Sequence, residues 1–95
     1  MEATEKTLVT RVEDDIVWSR LDDSVLLVAT KVNEVKIYTL NKTAAHLWEI
    51  CDGSKSVADM VQSLCRAYDI DAAAALKDTF VFIEDMSSKG LVFLK

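Results

Sequence analysis

Ninety-five residues, 51% hydrophobic and 28% charged, describe one soluble globular domain and exclude a disordered chain. The 11 basic and 16 acidic residues leave a net charge of −5, and no two Lys or Arg are adjacent, so the basic patch that meets nucleic-acid phosphates is missing. No apolar run approaches the ~20 residues of a membrane span, and Met1-Glu-Ala-Thr-Glu-Lys6 lacks the apolar segment of a secretory signal, so a cytoplasmic location is expected.

Residues 1–14 are polar apart from Leu8, Val9 and Val12. They read as a mobile arm able to add a short strand, with the folded domain expected over 15–95. Ile16 to Leu21 is the first strand of that domain, and Asp22-Asp23 is a tight turn whose side chains tolerate unusual backbone angles. Val25 to Lys31 is the second strand. Leu26 and Val28 point one way and Val25, Leu27 and Ala29 the other, so it is covered on both faces or central in a sheet. Val32-Asn33-Glu34 is the next turn. Val35, Ile37 and Thr39 then alternate with Lys36, Tyr38 and Leu40 in a third strand. Short turns between the strands predict an antiparallel meander.

At Asn41 the period changes. Asn41 is a good helix N-cap, Ala44, Leu47, Trp48 and Cys51 recur at helical spacing, and Gly53 is expected to end the helix in the left-handed conformation. Trp48 is expected in the buried stripe where sheet and helices meet. Ser56 and Asp59 make a shortened capping box for a second helix, with Val57, Met60, Val61, Leu64, Cys65 and Tyr68 as its stripe. Asp71 caps a third helix, Ala72 to Ser88, which Lys89 and Gly90 close. Leu91 to Leu94 is a short last strand or a tail packed on the core. On the third helix Leu76, Phe80 and Ile83 centre the buried stripe, with Thr79, Met86 and Ser87 beside them. Phe82 lies on a shoulder next to Asp78 and Asp85, and Val81 lies nearly opposite the core. Phe82 either widens the core or lines a groove.

Catalytic chemistry is not legible. The two glycines stand alone, so there is no phosphate loop. Cys51 and Cys65 sit at interior-type positions and read as buried reduced thiols, and with one histidine and no Cys-x-x-Cys the ligands of a zinc site are lacking. His46 falls off the helical stripe, at a solvated or rim position. The acidic neighbours Asp14-Asp15, Asp22-Asp23 and Glu84-Asp85 point apart on regular structure. No enzyme activity, metal or cofactor is expected.

Leu40-Asn-Lys-Thr-Ala-Ala45, Trp48, Cys51-Asp-Gly53, Ser56-Val-Ala-Asp59, Val61, Leu64, Tyr68 and Lys89-Gly-Leu91 resemble the PqqD family in order and spacing. The resemblance runs over roughly residues 15 to 94 and implies an α+β fold like a winged helix-turn-helix: a three-stranded antiparallel sheet followed by three helices. It implies a recognition element that binds the leader segment of a ribosomally made precursor peptide. The peptide would add as a strand and be presented to a modifying enzyme, often a radical SAM enzyme whose cluster belongs to that enzyme. Trp48, and the glycine-free segment before Tyr38, suggest a broader relative of the quinone-pathway members.

The expected peptide site is the edge of the third strand, Val35, Lys36, Ile37, Tyr38 and Thr39, with Asp78, Val81, Phe82 and Asp85 of the third helix. Alternatively the arm or Leu91–Leu94 covers that edge, or it pairs with its copy; the expected state is a monomer or weak homodimer. Two other readings are a structural subunit that docks to an enzyme without a peptide, and a winged-helix DNA regulator. The acidic helices oppose the latter.

Overall fold

The computed structural model describes residues 3–31 and 34–95. In chain order the elements are β1 (Leu8–Arg11), β2 (Ile16–Leu21), β3 (Ser24–Lys31), β4 (Glu34–Leu40), α1 (Lys42–Ile50), β5 (Asp52–Ser56), α2 (Val57–Tyr68), α3 (Ala72–Ser88) and β6 (Val92–Leu94). The class is α+β, with a winged helix-turn-helix-like core. The strands form two three-stranded sheets, β2-β3-β4 and β5-β1-β6.

The meander forms as its alternation predicts, antiparallel throughout, with Leu27 opposite both Trp18 and Tyr38. The turn after β2 places Asp22 at φ 52°, a left-handed conformation that Asp accepts more readily than most residues. The turn expected at Val32-Asn33 lies outside the described residues. Val25, Leu27, Ala29 and Leu40 are buried against the helices, with Ile16, Trp18 and Tyr38 packed at the margin. The opposite face carries Val17, Ser19 and Leu21 from β2. From β3 come Ser24, Leu26, Val28 and Thr30, and from β4 Val35, Ile37 and Thr39. None of these side chains is charged.

Helix caps behave locally. Asn41 Oδ1 accepts from Ala44 N at 3.0 Å and Asp71 Oδ1 from Ala74 N at 2.9 Å. The short acid of the second capping box suffices: Ser56 Oγ accepts from Asp59 N at 3.2 Å, and Asp59 Oδ2 accepts from Ser56 N at 3.1 Å. Gly90, at φ 71°, ends α3, with its amide on Ser87 O at 3.1 Å and the Leu91 amide on Met86 O at 2.9 Å.

Long-range pairing corrects or decides the remaining expectations. The 1–14 segment is not an arm apart from the domain: β1 is the middle strand of the second sheet and Val9 is fully buried. Gly53 does not stop α1. Cys51 is the cap, and Gly53 lies in β5 at φ 92°, where a Cβ would stand 2.6 Å from Thr10 Oγ1 across the sheet. Of the two readings of the last residues the strand is correct, with β6 pairing Val92 to Arg11 and Leu94 to Val9. On α3 the buried face is Ala75, Thr79, Phe82, Ile83 and Met86, with Leu76 and Phe80 only half-buried and Ser87 exposed. The helix is rotated from its expected setting because it packs against α1 and α2 as well as β6. On α1 the expected stripe holds at Leu47, Trp48 and Cys51, which are buried; Ala45 joins them and Ala44 is half-buried.

Trp48 is the largest fully buried side chain and meets Trp18 edge to face, with ring centroids 6.2 Å apart at 86°. Arg11 lies over the Trp18 ring at 5.4 Å and donates from Nη1 to the Trp48 and Glu49 carbonyls at 3.1 and 2.9 Å. It thus satisfies carbonyls that the end of α1 leaves open. Trp48→Ala should cost about 3–5 kcal/mol, a large share of the stability of so small a domain. Trp48→Phe should cost much less, because the buried Nε1 has no hydrogen-bond partner to lose. Urea midpoints of the two variants check that order.

Candidate functional site

A chain that contributes two separate sheets exposes four strand edges, and their chemistry differs. β6 is three residues long, β5 carries Gly53, and β2 is six residues, Ile16 to Leu21, without proline or glycine. β4 is seven residues, Glu34-Val-Lys-Ile-Tyr-Thr-Leu40, without proline or glycine. Among the described residues it pairs only with β3. Neither alternative cover lies on it, since the N-terminal strand and the C-terminal strand belong to the other sheet: β1 takes Val92 to Leu94 as its partner.

The chain leaves β4 through Asn41 into α1, which brings the start of that helix beside α3. Between them is a groove of about 370 Å³. Leu40, Leu47, Phe82 and Met86 are its buried apolar wall, and Asp78, Val81 and Asp85 are exposed around it, with Thr39 at the strand end. A smaller hollow of about 200 Å³ lies along the same strand, between Lys36 and Tyr38 of β4 and Ser88-Lys89 at the end of α3. Lys89 Nζ sits 4.9 Å from the Tyr38 ring centre and 2.9 Å from Asp85 Oδ2, so one cation ties the end of α3 to β4.

The sequence-derived site residues divide accordingly. Thr39, Asp78, Val81, Phe82 and Asp85 meet at one groove, and Lys36 and Tyr38 line the second hollow. Val35 and Ile37, 63% and 65% exposed, face the other side of the sheet. Phe82 is only 5% exposed, so it serves chiefly as core, while Val81 is 56% exposed at the groove. Asp85 is already neutralised by Lys89, whereas Asp78 makes no ion pair among the described residues. Leu40, Ala44, Leu47 and Met86 were not expected in the groove. Asn41 marks where α1 begins, but the tertiary packing of α1 on α3 brings these residues into it.

The other candidate groups are committed to structure. Burial pushes the Cys51 thiol up to about 12, and it donates to Trp48 O at 3.1 Å, so it is no nucleophile. Cys65 is half-buried, less enclosed than expected. His46 is half-buried too, sharing a 2.8 Å hydrogen bond between its Nε2 and Ser63 Oγ, with its ring against Tyr68 at 5.5 Å. It lies beside a polar hollow that Ser54, Lys55, Asp59, Gln62, Ser63 and Arg66 also line. No helix among the described residues is long and apolar enough to cross a membrane.

The family model described as coenzyme PQQ synthesis protein D (PqqD) matches residues 25–92, well over half of the chain. This chain belongs to the PqqD family. The matched PqqD region runs from β3 to β6 and contains the whole β4–α3 groove. A solved structure of TbiB1 in complex with the TbiA(beta) leader peptide shares the fold, with a TM-score of 0.73 and 20% identity over 87% of this chain and 94% of that one. No curated protein matches.

Burial lowers the pKa of His46 below the ordinary histidine value near 6.5. The fold therefore favours the neutral ring. Its contribution to stability is complete above the unfolded-state pKa and is lost as pH falls through that value toward the folded one. The difference in unfolding free energy between the wild type and His46→Gln should be constant above pH ~7 and shift against the wild type below ~6.5. Parallel denaturant titrations across that range check the sign.

Proposed function

We propose that this PqqD-family domain is a non-catalytic adaptor. It binds the leader segment of a ribosomally made precursor peptide and presents the rest of that peptide to a modifying enzyme, for which a radical SAM enzyme is the class inferred from the family resemblance. The leader adds as a strand to the outer edge of β4, Val35 to Thr39, alongside α3. The single observation that carries this reading is a long strand edge free of other strands next to a groove with an apolar wall. Backbone hydrogen bonds along such an edge are indifferent to sequence, and side-chain pockets beside it select one peptide. The TbiB1 complex with a leader peptide, in a chain of the same fold, supports the same use here. Phe82 and Val81 would receive an apolar anchor, and Asp78 with Asp85 would favour Lys or Arg near it. The adaptor acts as a monomer or weak homodimer.

Alternate β4 amides point to β3 and to the open edge. Of Lys36→Pro, Ile37→Pro and Tyr38→Pro, those that remove an edge-facing donor should leave the circular dichroism spectrum intact and abolish leader binding. Amide exchange across residues 35–39 should slow when the precursor peptide saturates the domain. Equal protection with and without peptide would sink the edge as the site.

Charge gives a second check. Affinity for a leader with a basic residue near its anchor should fall as salt rises. Asp78→Asn should flatten that salt dependence more than Asp85→Asn, since Asp85 is already held by Lys89. Titrations of both variants at low and moderate salt give the comparison.

A further inference from the structure

The outer face of the β2-β3-β4 sheet, apart from Thr39 at the strand end, is not used by the leader groove, yet it is unlike the rest of the surface. Its central row is Val17, Val28 and Ile37, paired across the three strands. Leu26, Val35 and Leu21 flank that row, and Val17 is 68% exposed. A chain with net charge −5 and 28% charged residues places none of those charges at the described positions of this face. Exposed apolar patches of this kind mark interaction sites.

We infer that this face is where the peptide-modifying enzyme docks, and that the bound leader strand completes it. The inference rests on strand addition at β4. A fourth strand beside β4 continues the sheet, and every second residue of the leader then lies on the same face, next to Val35 and Ile37. An enzyme with a flat, uncharged apolar surface placed there touches adaptor and leader together, and so distinguishes the loaded domain from the empty one.

Size and charge argue for this occupant over a second copy. Three strands of about six residues span roughly 14 by 20 Å, on the order of 300 Å² per partner. A stable dimer needs about 800 Å² from each side. Two copies would also approach with like net charges of −5 each. A small patch enlarged by the leader suits a transient hand-off.

The test uses the purified full chain, a fluorescent precursor peptide and the peptide-modifying enzyme, the latter two taken from the genes neighbouring this one. Val17 is on the strand farthest from the β4 edge. Val17→Lys should hold the leader within about twofold of wild-type affinity while weakening the enzyme's binding to the loaded complex by about tenfold or more. The enzyme should also bind the wild-type domain more weakly without peptide than with it. If Val17→Lys does not fold by circular dichroism, Leu21→Lys at the end of the same strand serves, with the same expectation. Enzyme binding unchanged in the folded variant overturns the inference and leaves strand addition standing. Dimerisation of the wild type in sedimentation velocity, abolished by Val17→Lys, overturns it in favour of a second copy. Failure of the wild type to bind the leader at all, read before enzyme is added, removes strand addition and this inference together.

Discussion

Arg11 and the paired tryptophans hold the two halves of this molecule in register. The guanidinium of a strand in one sheet closes the end of α1 through the Trp48 and Glu49 carbonyls and covers Trp18 of the other sheet. Trp48 fills the space beneath. Burial of the indole is worth several kcal/mol, and the two bonds from the Arg11 guanidinium, at about 1.5–3 kcal/mol each, are of similar size. Apolar burial and Arg11 therefore hold this junction together, and the directional bonds of Arg11 set its orientation. A second tie, Arg20 of β2 to Glu49 at 2.6 Å, acts on the same turn of α1.

That orientation reaches the groove through the chain itself. β4 ends at Leu40 and α1 begins at Lys42, so the direction of α1 determines where the end of β4 meets α3. Leu40 and Leu47 lie on either side of the Asn41 cap and share one apolar wall with Phe82 and Met86. The groove is thus a consequence of core packing, with Asp78 and Val81 exposed beside it.

An open strand edge is a liability for aggregation, and natural sheets shorten or blunt such edges. Here the second sheet follows that rule, with a three-residue β6 and a glycine-bearing β5. The β4 edge is long and keeps its donors. Its one lysine, Lys36, is paired with Glu34 at 3.3 Å on the helix-facing side of the strand. An edge left in this state fits the strand addition proposed above.

Sequence alone determined what depends on near neighbours. Asn41, Ser56 with Asp59, and Asp71 started the three helices because a cap needs only an amide two or three residues away. Apolar residues on both faces from Val25 to Ala29 placed β3 in the middle of a meander, and the absence of proline and glycine from Val35 to Leu40 marked β4 as a candidate edge. Tertiary structure decided what depends on distant partners. β1, β5 and β6 are short segments, mixed, polar and apolar in turn, that become strands only through one another, so their pairing could not be read from local pattern. Gly53 looked like a helix stop because left-handed glycine is common there; Thr10, across the sheet, is what requires it. Leu76, Phe80, Val81, Phe82 and Ile83 leave α3 apolar nearly all round, so the period selects its buried face only weakly. Packing against α1 and the end of β4 turned Phe82 inward, because burial of an aromatic ring outweighs the small preferences that a helical wheel can register.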